Sequence, residues 1–342
     1  MGRCIVNWIA VLALVHLPVA SNGQDLPARA RGAIDNALPG IVRGATSYPK
    51  HRTCFSCHHQ AQPLMTLTSA RARGFDVDHD AVRSILDFSL RAFADKGKHD
   101  GLRKGLGHRT SVIGYLLATL AAVNYPPDET TAVLVHYMLA REDAEGGWRD
   151  TLQRPPGQGS SFTVTAVTLI GLKRFGNSDP LKPIATRILQ SSDKALRWLK
   201  KNEPQNTEDR VFQLRGLVAG GAEATLIRAR RDALVKEQRA DGSWSQLQEL
   251  KGDAYATGSA LVALREAGLA VDDPVYVRGL RFLLDTQQAD GSWFVQTRTK
   301  VVQPFFDNGD SGGKSQFICF SATNWAVLAL LEAVPLVPER KK

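Results

Sequence analysis

Apolar residues recur with helical spacing along most of the chain. In the segment after Pro274, for example, Val277, Leu280 and Leu283 fall on one face of a helix. The pair Asp273-Pro274 marks the start of this helix, because aspartate is a preferred N-cap and proline a preferred first helical residue. No stretch shows the sustained apolar-polar alternation that is typical of strands. The sequence therefore predicts an all-α protein.

A glycine-containing turn that ends in tryptophan occurs three times, at Glu142–Trp148, Gln238–Trp244 and Gln287–Trp293. The first two tryptophans are 96 residues apart and the last two are 49 apart. These spacings correspond to two periods and one period of about 48 residues, which indicates stacked helical units. Each unit supplies one helix before the turn and one after it. The second helix is rich in small residues that permit close packing, so we expect it on the inside.

The pattern yields six helices of each kind. The predicted inner helices lie near His58–Arg73, Thr110–Val123, Phe162–Phe175, Val211–Ala219, Ala254–Ala267 and Phe317–Ala333. The predicted outer helices lie near Gly32–Val42, His79–Ala94, Asp128–Leu139, Leu181–Lys200, Ala222–Glu237 and Asp273–Gln287. Six of each close naturally into a single (α/α)6 toroid over residues 30–335. An open α-solenoid of the same units is the alternative.

The first 23 residues have the features of a secretory signal peptide. Arg3 precedes an apolar run from Cys4 to Ala20, and the small or polar residues Ser21, Asn22 and Gly23 follow. The run is shorter than the roughly 20 apolar residues of a membrane helix, although an uncleaved anchor is the alternative. We therefore expect a soluble protein that is periplasmic or otherwise exported, with no transmembrane segment after cleavage. Residues 24–50 are then an N-terminal segment with the first outer helix, and residues 336–342 a basic tail.

Composition limits the classes of protein that the chain can represent. Hydrophobic residues make up 43% and charged residues 23%, which is enough for a packed core and excludes general disorder. The formal net charge is +9, but the basic residues are mixed with acidic ones, so we expect no nucleic-acid partner. Four cysteines are too few for a disulfide scaffold. Cys319 lies in an apolar inner helix and is predicted to be an inert core thiol.

The clearest chemical motif is Cys54-x-x-Cys57-His58, within the C-x-x-C-H-H turn at residues 51–60. This is the attachment spacing of haem c: two thiols three residues apart each add to a vinyl group, and the next imidazole reaches the iron. The motif therefore predicts Cys54 and Cys57 as covalent attachment points and His58 as the proximal ligand. Haem c is attached outside the cytoplasm, which agrees with the predicted export signal.

Other interpretations of this motif remain open. A disulfide between Cys54 and Cys57 is compatible with export, and a zinc site would need a further ligand that the sequence does not supply. The sixth ligand of a haem iron is also undecided. His108 and Met65 are candidates, although His108 also fits a polar helix end and Met65 a core position.

A resemblance to known proteins rests on the third repeat. The stretch Arg278–Leu283, followed by Gln287, Gly291 and Trp293, closely resembles the QW motif of the squalene–hopene and oxidosqualene cyclases. In those enzymes the glutamine and tryptophan tie outer helices together at their ends, and the same toroid occurs in the β subunits of protein prenyltransferases. The resemblance implies a toroid of the terpenoid cyclase/prenyltransferase type.

The sequence departs from the triterpene cyclases in two respects. The chain is long enough for one toroid, whereas those enzymes use two. Their proton-donating D-x-D-D-T motif corresponds here to Asp253-Ala254-Tyr255-Ala256-Thr257, so Tyr255 replaces the acid. Because a phenol cannot protonate an alkene, we expect no standard triterpene cyclisation.

The chain as a whole resembles a group of exported bacterial proteins that combine such repeats with an N-terminal C-x-x-C-H-H. The resemblance rests on Cys54–Gln60, Arg154-Pro155-Pro156, Asp253–Gly258 and Gln303–Phe306. It implies no particular activity.

The amino ends of the inner helices should share one mouth of the toroid, above an apolar well. The candidate cavity residues there are Asp253, Tyr255, Thr165, Gln316 and His108. Asp253 also fits a simple helix cap. We expect the loops Arg149–Ser160 and Phe294–Ser315 to roof this mouth, with the Cys54–His58 turn nearby.

Two main functions follow from the sequence. The first is an exported c-type haem protein that passes electrons to a redox partner protein or performs haem redox chemistry near the cavity. The alternative is a haem-free toroid that binds or transforms an isoprenoid or another apolar small molecule, with Cys54 and Cys57 as a disulfide or metal clip. A partner-binding module is a third interpretation. If the protein is an enzyme, a haem-dependent oxidoreductase is favoured over a terpene cyclase.

Overall fold

The computed structural model describes residues 26–91, 93–149, 154–300, 305–307, 309–310 and 312–337. The predicted signal peptide and most of the predicted basic tail lie outside the described residues. Within them, helices are the regular structure, and extended pairing is limited to an isolated bridge between Arg154 and Gln158. The all-α prediction is confirmed.

The α-helices alternate between an outer and an inner layer. The outer helices are α1 (Leu26–Ser47), α3 (His79–Arg91), α6 (Glu129–Ala140), α8 (Ala185–Lys201), α10 (Ala224–Lys236) and α12 (Pro274–Thr286). The inner helices are α2 (Gln62–Ala72), α5 (Thr110–Ala122), α7 (Ser161–Phe175), α9 (Thr207–Gly220), α11 (Ala254–Glu266) and α13 (Gln316–Leu331). A short helix that the sequence did not predict, α4 (His99–Arg103), joins α3 to α5. A π-helical turn, Cys57–Ala61, leads into α2.

The inner helices pack against one another in chain order, and α13 then packs against α2. At the same junction, the outer helix α1 contacts α12 and α13. This arrangement closes the ring, so the toroid is confirmed and the open solenoid is excluded.

Polar contacts fasten the first repeat to the last. The Gln287 side chain donates to the Ala33 carbonyl at 2.8 Å, and Arg29 pairs with Asp285 at 2.8 Å. On the inner layer, Arg73 pairs with Glu332 at 2.6 Å. These contacts join residues more than 250 positions apart in sequence and keep the ring closed.

The three repeated turns share one hydrogen-bond pattern. Trp148, Trp244 and Trp293 are almost fully buried, and each indole N–H donates to a backbone carbonyl ten residues earlier. Each tryptophan backbone N–H donates to a threonine hydroxyl on the inner helix that follows. The three threonines are Thr165, Thr257 and Thr323. Each tryptophan therefore joins the end of an outer helix to the inner helix that follows it.

Candidate functional site

The amino ends of the inner helices meet at one mouth of the toroid. Every inner helix follows an outer helix, so all six run in the same direction. Thr163 of α7 donates to Glu208 of α9 at 2.9 Å, and Tyr255 of α11 donates to the same carboxyl at 3.2 Å. The side chain of Gln158 reaches Ser111 at the start of α5, at 3.4 Å. Polar side chains from four of the inner helices and an overlying loop therefore converge here.

The Cys54–His58 turn lies at this same mouth. The His58 ring stacks on Phe317 in the first turn of α13, with ring centroids 4.8 Å apart. Burial, together with the nearby charge of Arg154, lowers the pKa of His58 to about 3. Arg154 belongs to the loop between α6 and α7, so this loop and the turn face each other. The imidazole is neutral at physiological pH, which is the form that binds a metal.

The two thiols of the motif differ in exposure. Cys54 is exposed, Cys57 is half-buried, and the two are not disulfide-bonded. The Cys54 sulfur lies 3.5 Å from the Tyr48 hydroxyl. Among the described residues, no group of three or more His, Cys, Asp or Glu side chains is arranged to hold a metal ion. The described residues therefore show neither a Cys54–Cys57 disulfide nor a multi-residue zinc site.

Neighbouring residues fix the orientation of the His58 ring. The Ser56 hydroxyl lies 3.0 Å from His58 Nδ1, and Ser56 also caps the π-helical turn by accepting from the His59 backbone N–H. His58 Nδ1 also contacts Nδ1 of His59. His59 is fully buried and stacks on Phe320 with ring centroids 4.3 Å apart. Nδ1 is thus occupied, whereas Nε2 of His58 has no hydrogen-bond partner among the described residues.

An aromatic side chain of the last long loop covers the turn. Phe306 stacks on His51 with centroids 4.8 Å apart and lies 5.8 Å from the Phe317 ring. The side chain of Gln316 donates to the Phe306 carbonyl at 2.6 Å and so holds the loop against the start of α13. The described part of this loop also reaches the other long loop, since Thr299 donates to the Pro155 carbonyl at 2.9 Å. The two loops meet over one mouth, as predicted.

Asp253 caps helix α11. Its carboxyl accepts from the Ala256 backbone N–H and from the Gln246 side chain, both at 2.9 Å. Gln246 in turn accepts from Arg298 at 2.7 Å, so the cap is joined to the last long loop. Burial raises the pKa of Asp253 above its ordinary value. These contacts give Asp253 a structural role at the rim of the mouth.

Glu208 is the residue that sequence reasoning missed. Its side chain is 5% exposed, and burial raises its pKa to about 7 although the hydroxyls of Thr163 and Tyr255 both donate to it. The apolar pattern predicts that this inner helix begins near Val211, whereas in the structure Asn206 caps it and Thr207 is its first residue. The signal was present as Asn206 followed by two acids, a typical helix start, which by itself indicates capping and no chemistry.

The other predicted residues lie apart from the centre of the mouth. The Thr165 hydroxyl accepts from the Trp148 backbone and serves the repeated turn. His108 packs on Phe93, with centroids 4.7 Å apart, and Met65 is half-buried on α2. The structure shows no contact of His108 or Met65 with His58 among the described residues.

Aromatic side chains fill the axis below the mouth, where we expected an apolar well. Tyr115, Phe212 and Trp325 come from three inner helices and are at most 4% exposed. Phe212 lies 6.3 Å from Tyr115 and 6.4 Å from Trp325, measured between ring centroids. Arg215 lies 5.3 Å from the Phe212 and Trp325 ring centres and forms two hydrogen bonds with Glu266. At this level the side chains occupy the space themselves.

An open cleft of about 500 Å³ borders the mouth beside Glu208. Its walls come from the loop before α7, the starts of α7 and α9, the end of α8 and the last long loop. The residues that line it include Pro155, Phe162, Trp198, Glu208, Asp209 and Arg298. No residue of the Cys54–His58 turn lines this cleft.

Comparisons with known proteins agree with the fold. Residues 202–339 match the squalene–hopene cyclase C-terminal domain. A comparison with curated protein sequences finds no match. No helix within the described residues is both long and apolar enough to cross a membrane.

Several solved structures have the same architecture. A glycosidase variant aligns with a TM-score of 0.63 and 14% identity, over 91% of this chain and 99% of its own. A second glycosidase variant, in complex with glucose, aligns with a TM-score of 0.62 and 15% identity, again over 91% of this chain and 99% of its own. The type II terpene cyclase MstE from Scytonema aligns with a TM-score of 0.56 and 14% identity, over 91% of this chain and all of its own. Because glycosidases and a terpene cyclase share it, the fold alone does not determine the chemistry. The chain is thus a single all-α, squalene-cyclase-like α/α toroid.

Proposed function

We propose that this protein carries a covalent haem c at the Cys54–His58 turn and acts in electron transfer or haem redox chemistry. The observation that carries the proposal is the turn itself. Two thiols that are not bonded to each other stand three residues apart in the turn. The adjacent imidazole has its Nδ1 held by Ser56, and its Nε2 has no hydrogen-bond partner in the part of the chain that the structure describes. This donor set fits haem c, with Cys54 and Cys57 as attachment points and His58 as the proximal ligand.

The chain's own residues would prepare the site for such a group. Ser56 fixes the ring orientation of His58, and a held Nδ1 is the usual way in which a metal-binding histidine is oriented. Phe306 and Phe317 would exclude water from one side of the turn. When bound, haem supplies a one-electron iron couple. Tyr255 occupies the position of the acid that protonates the alkene in the triterpene cyclases, and a phenol cannot replace that acid. An oxidoreductase is therefore the favoured class of enzyme.

The proposal requires export, because haem c is attached outside the cytoplasm. The predicted signal peptide at residues 1–23 would direct the chain there. The physiological partner would then be a redox protein of the same compartment. The exposed position of Cys54, on the rim of the toroid, supports access for such a partner.

Haem staining after denaturing electrophoresis tests the proposal directly. The wild-type protein, exported from cells that contain haem-attachment machinery, should stain and give a pyridine haemochrome spectrum of haem c. Replacing both cysteines of the turn (Cys54→Ser with Cys57→Ser) should abolish the stain. Cys319→Ser is the matched control and should stain like the wild type, because Cys319 is buried in α13. A wild-type protein without covalent haem would refute the proposal.

A further inference from the structure

The cleft beside Glu208 contains polar chemistry that the proposed haem site does not use. It is open to solvent, and its volume of about 500 Å³ lies within the range of small-molecule sites, about 300–1,000 Å³. Glu208 lies where the cleft meets the polar ends of the inner helices. A buried carboxyl in such a position has a desolvation cost, which a ligand hydrogen bond would offset.

Two hydroxyls hold the Glu208 carboxyl in one orientation. Thr163 donates to Oε1 at 2.9 Å and Tyr255 donates to Oε2 at 3.2 Å. Each carboxylate oxygen can accept more than one hydrogen bond, so both retain acceptor capacity. The group is therefore pre-organised for a further donor, and it needs no rearrangement to meet one.

The lining of the cleft indicates the chemical class of the ligand. The lining combines carboxylates (Glu208 and Asp209) and guanidinium groups (Arg149 and Arg298) with flat apolar faces, those of Trp198 and Pro155 among them. A hydrocarbon ligand would displace water from these charged groups and offer no hydrogen bond in return, at a high cost. A strongly charged ligand would meet groups of its own sign. A molecule with hydroxyls on its edges and C–H groups on its faces satisfies both kinds of surface.

We infer that this cleft is a second small-molecule site, which binds an uncharged, hydroxyl-rich ligand of sugar size through a hydrogen bond to Glu208. The inference does not depend on the proposed haem, because no residue of the Cys54–His58 turn lines the cleft.

Binding at this site should be linked to proton exchange. The raised pKa of Glu208, about 7, makes the carboxyl partly protonated at neutral pH, and a ligand that prefers one form shifts that balance. Charged and titratable groups from each neighbouring element face it. They are Asp209 and Arg215 on its own helix, Tyr115 on α5, Tyr255 on α11 and Arg298 on the last long loop.

Calorimetric titration with glucose and with the disaccharide cellobiose tests the inference. At least one of them should bind the wild type, and its enthalpy should depend on the ionisation enthalpy of the buffer near pH 7. Glu208→Gln should weaken binding at least about tenfold, the value of one hydrogen bond to a charged group, and should remove the buffer dependence. Glu237→Gln is the matched control and should bind like the wild type, because Glu237 is an exposed residue at the end of α10 and outside the cleft.

Tyr255→Phe provides a second variant if Glu208→Gln does not fold. This variant retains the Glu208 carboxyl but removes one of its hydrogen-bond donors, so the pKa of Glu208 should rise. The buffer dependence of the binding enthalpy should then move to higher pH. Failure of both sugars to bind the wild type, equal affinity in Glu208→Gln, or binding of the isoprenoid alcohol farnesol alone would overturn the inference. None of these outcomes affects haem staining, so the two proposals fail independently.

Discussion

Two neighbouring carboxyls at the mouth show how burial and hydrogen bonds decide the role of an acid. Asp253 accepts from a backbone N–H and an amide, as a helix cap does. Glu208 accepts from two hydroxyls and borders a cleft. Burial raises the pKa of both groups, and it raises the pKa of Glu208 to about 7. The chemistry of the mouth therefore centres on Glu208, whereas Asp253 shapes it.

The raised pKa of Glu208 gives its contribution to stability a definite pH dependence. The folded protein retains the proton up to about pH 7, whereas the unfolded chain loses it near 4.5. The contribution is therefore fully present below pH 4.5 and decreases as the pH rises to 7. Between pH 5 and 8 the wild type should lose a few kcal/mol of unfolding free energy relative to Glu208→Gln.

Urea unfolding of both proteins at pH 5 and pH 8 measures this difference. Comparing the two proteins removes the opposite effect of His58, whose lowered pKa makes the folded state gain stability as the pH rises from about 3 to 6.5. Glu237→Gln should follow the wild type at both pH values. A constant difference between the wild type and Glu208→Gln would show that Glu208 titrates normally.

Repeated spacing allowed the helices to be predicted, because each unit carries its own turn. The tryptophan turns and the small residues after them identify outer and inner helices without knowledge of the fold. The start of α9 was missed by four residues because Thr207, Glu208 and Asp209 have no apolar pattern. The pairing of Glu208 with Tyr255 joins residues 47 positions apart, and the aromatic filling of the axis joins three helices. Neither has a local sequence signal.

The tryptophan of each turn should contribute strongly to the stability of its repeat. Trp244 is fully buried, and its indole and backbone N–H groups bond to Leu234 and Thr257. Trp244→Ala should lower the unfolding free energy by about 3–5 kcal/mol. Phe294→Ala is the control, because Phe294 is 51% exposed, and should change it by less than about 0.5 kcal/mol. Chemical denaturation measures both, and an effect of Trp244→Ala as small as that of the control would contradict this role.

Closure of the ring links the whole molecule, since the last repeated turn packs on the first outer helix. Gln287 donates both to Gly291 within its own turn and to Ala33 of α1. Gly291 has a φ of +83°, and a Cβ placed there would clash with the Asn36 carbonyl of α1. The close approach of the two ends of the chain therefore requires glycine at this position.

Gly291→Ala and Gly268→Ala together isolate the energy of this closure. Gly268 has nearly the same φ, +85°, but a Cβ there meets no atom within 4 Å. Both substitutions should lower the free energy of unfolding by about 1 kcal/mol, because alanine is disfavoured in the left-handed backbone conformation. Gly291→Ala should lower the free energy of unfolding by about 1–3 kcal/mol more, because α1 must move away from the turn. Hydrogen exchange should then show faster opening of α1 and α12 in Gly291→Ala but not in Gly268→Ala. Equal unfolding free energies and exchange rates in the two variants would mean that α1 can move at no energetic cost, and that the toroid does not depend on this junction.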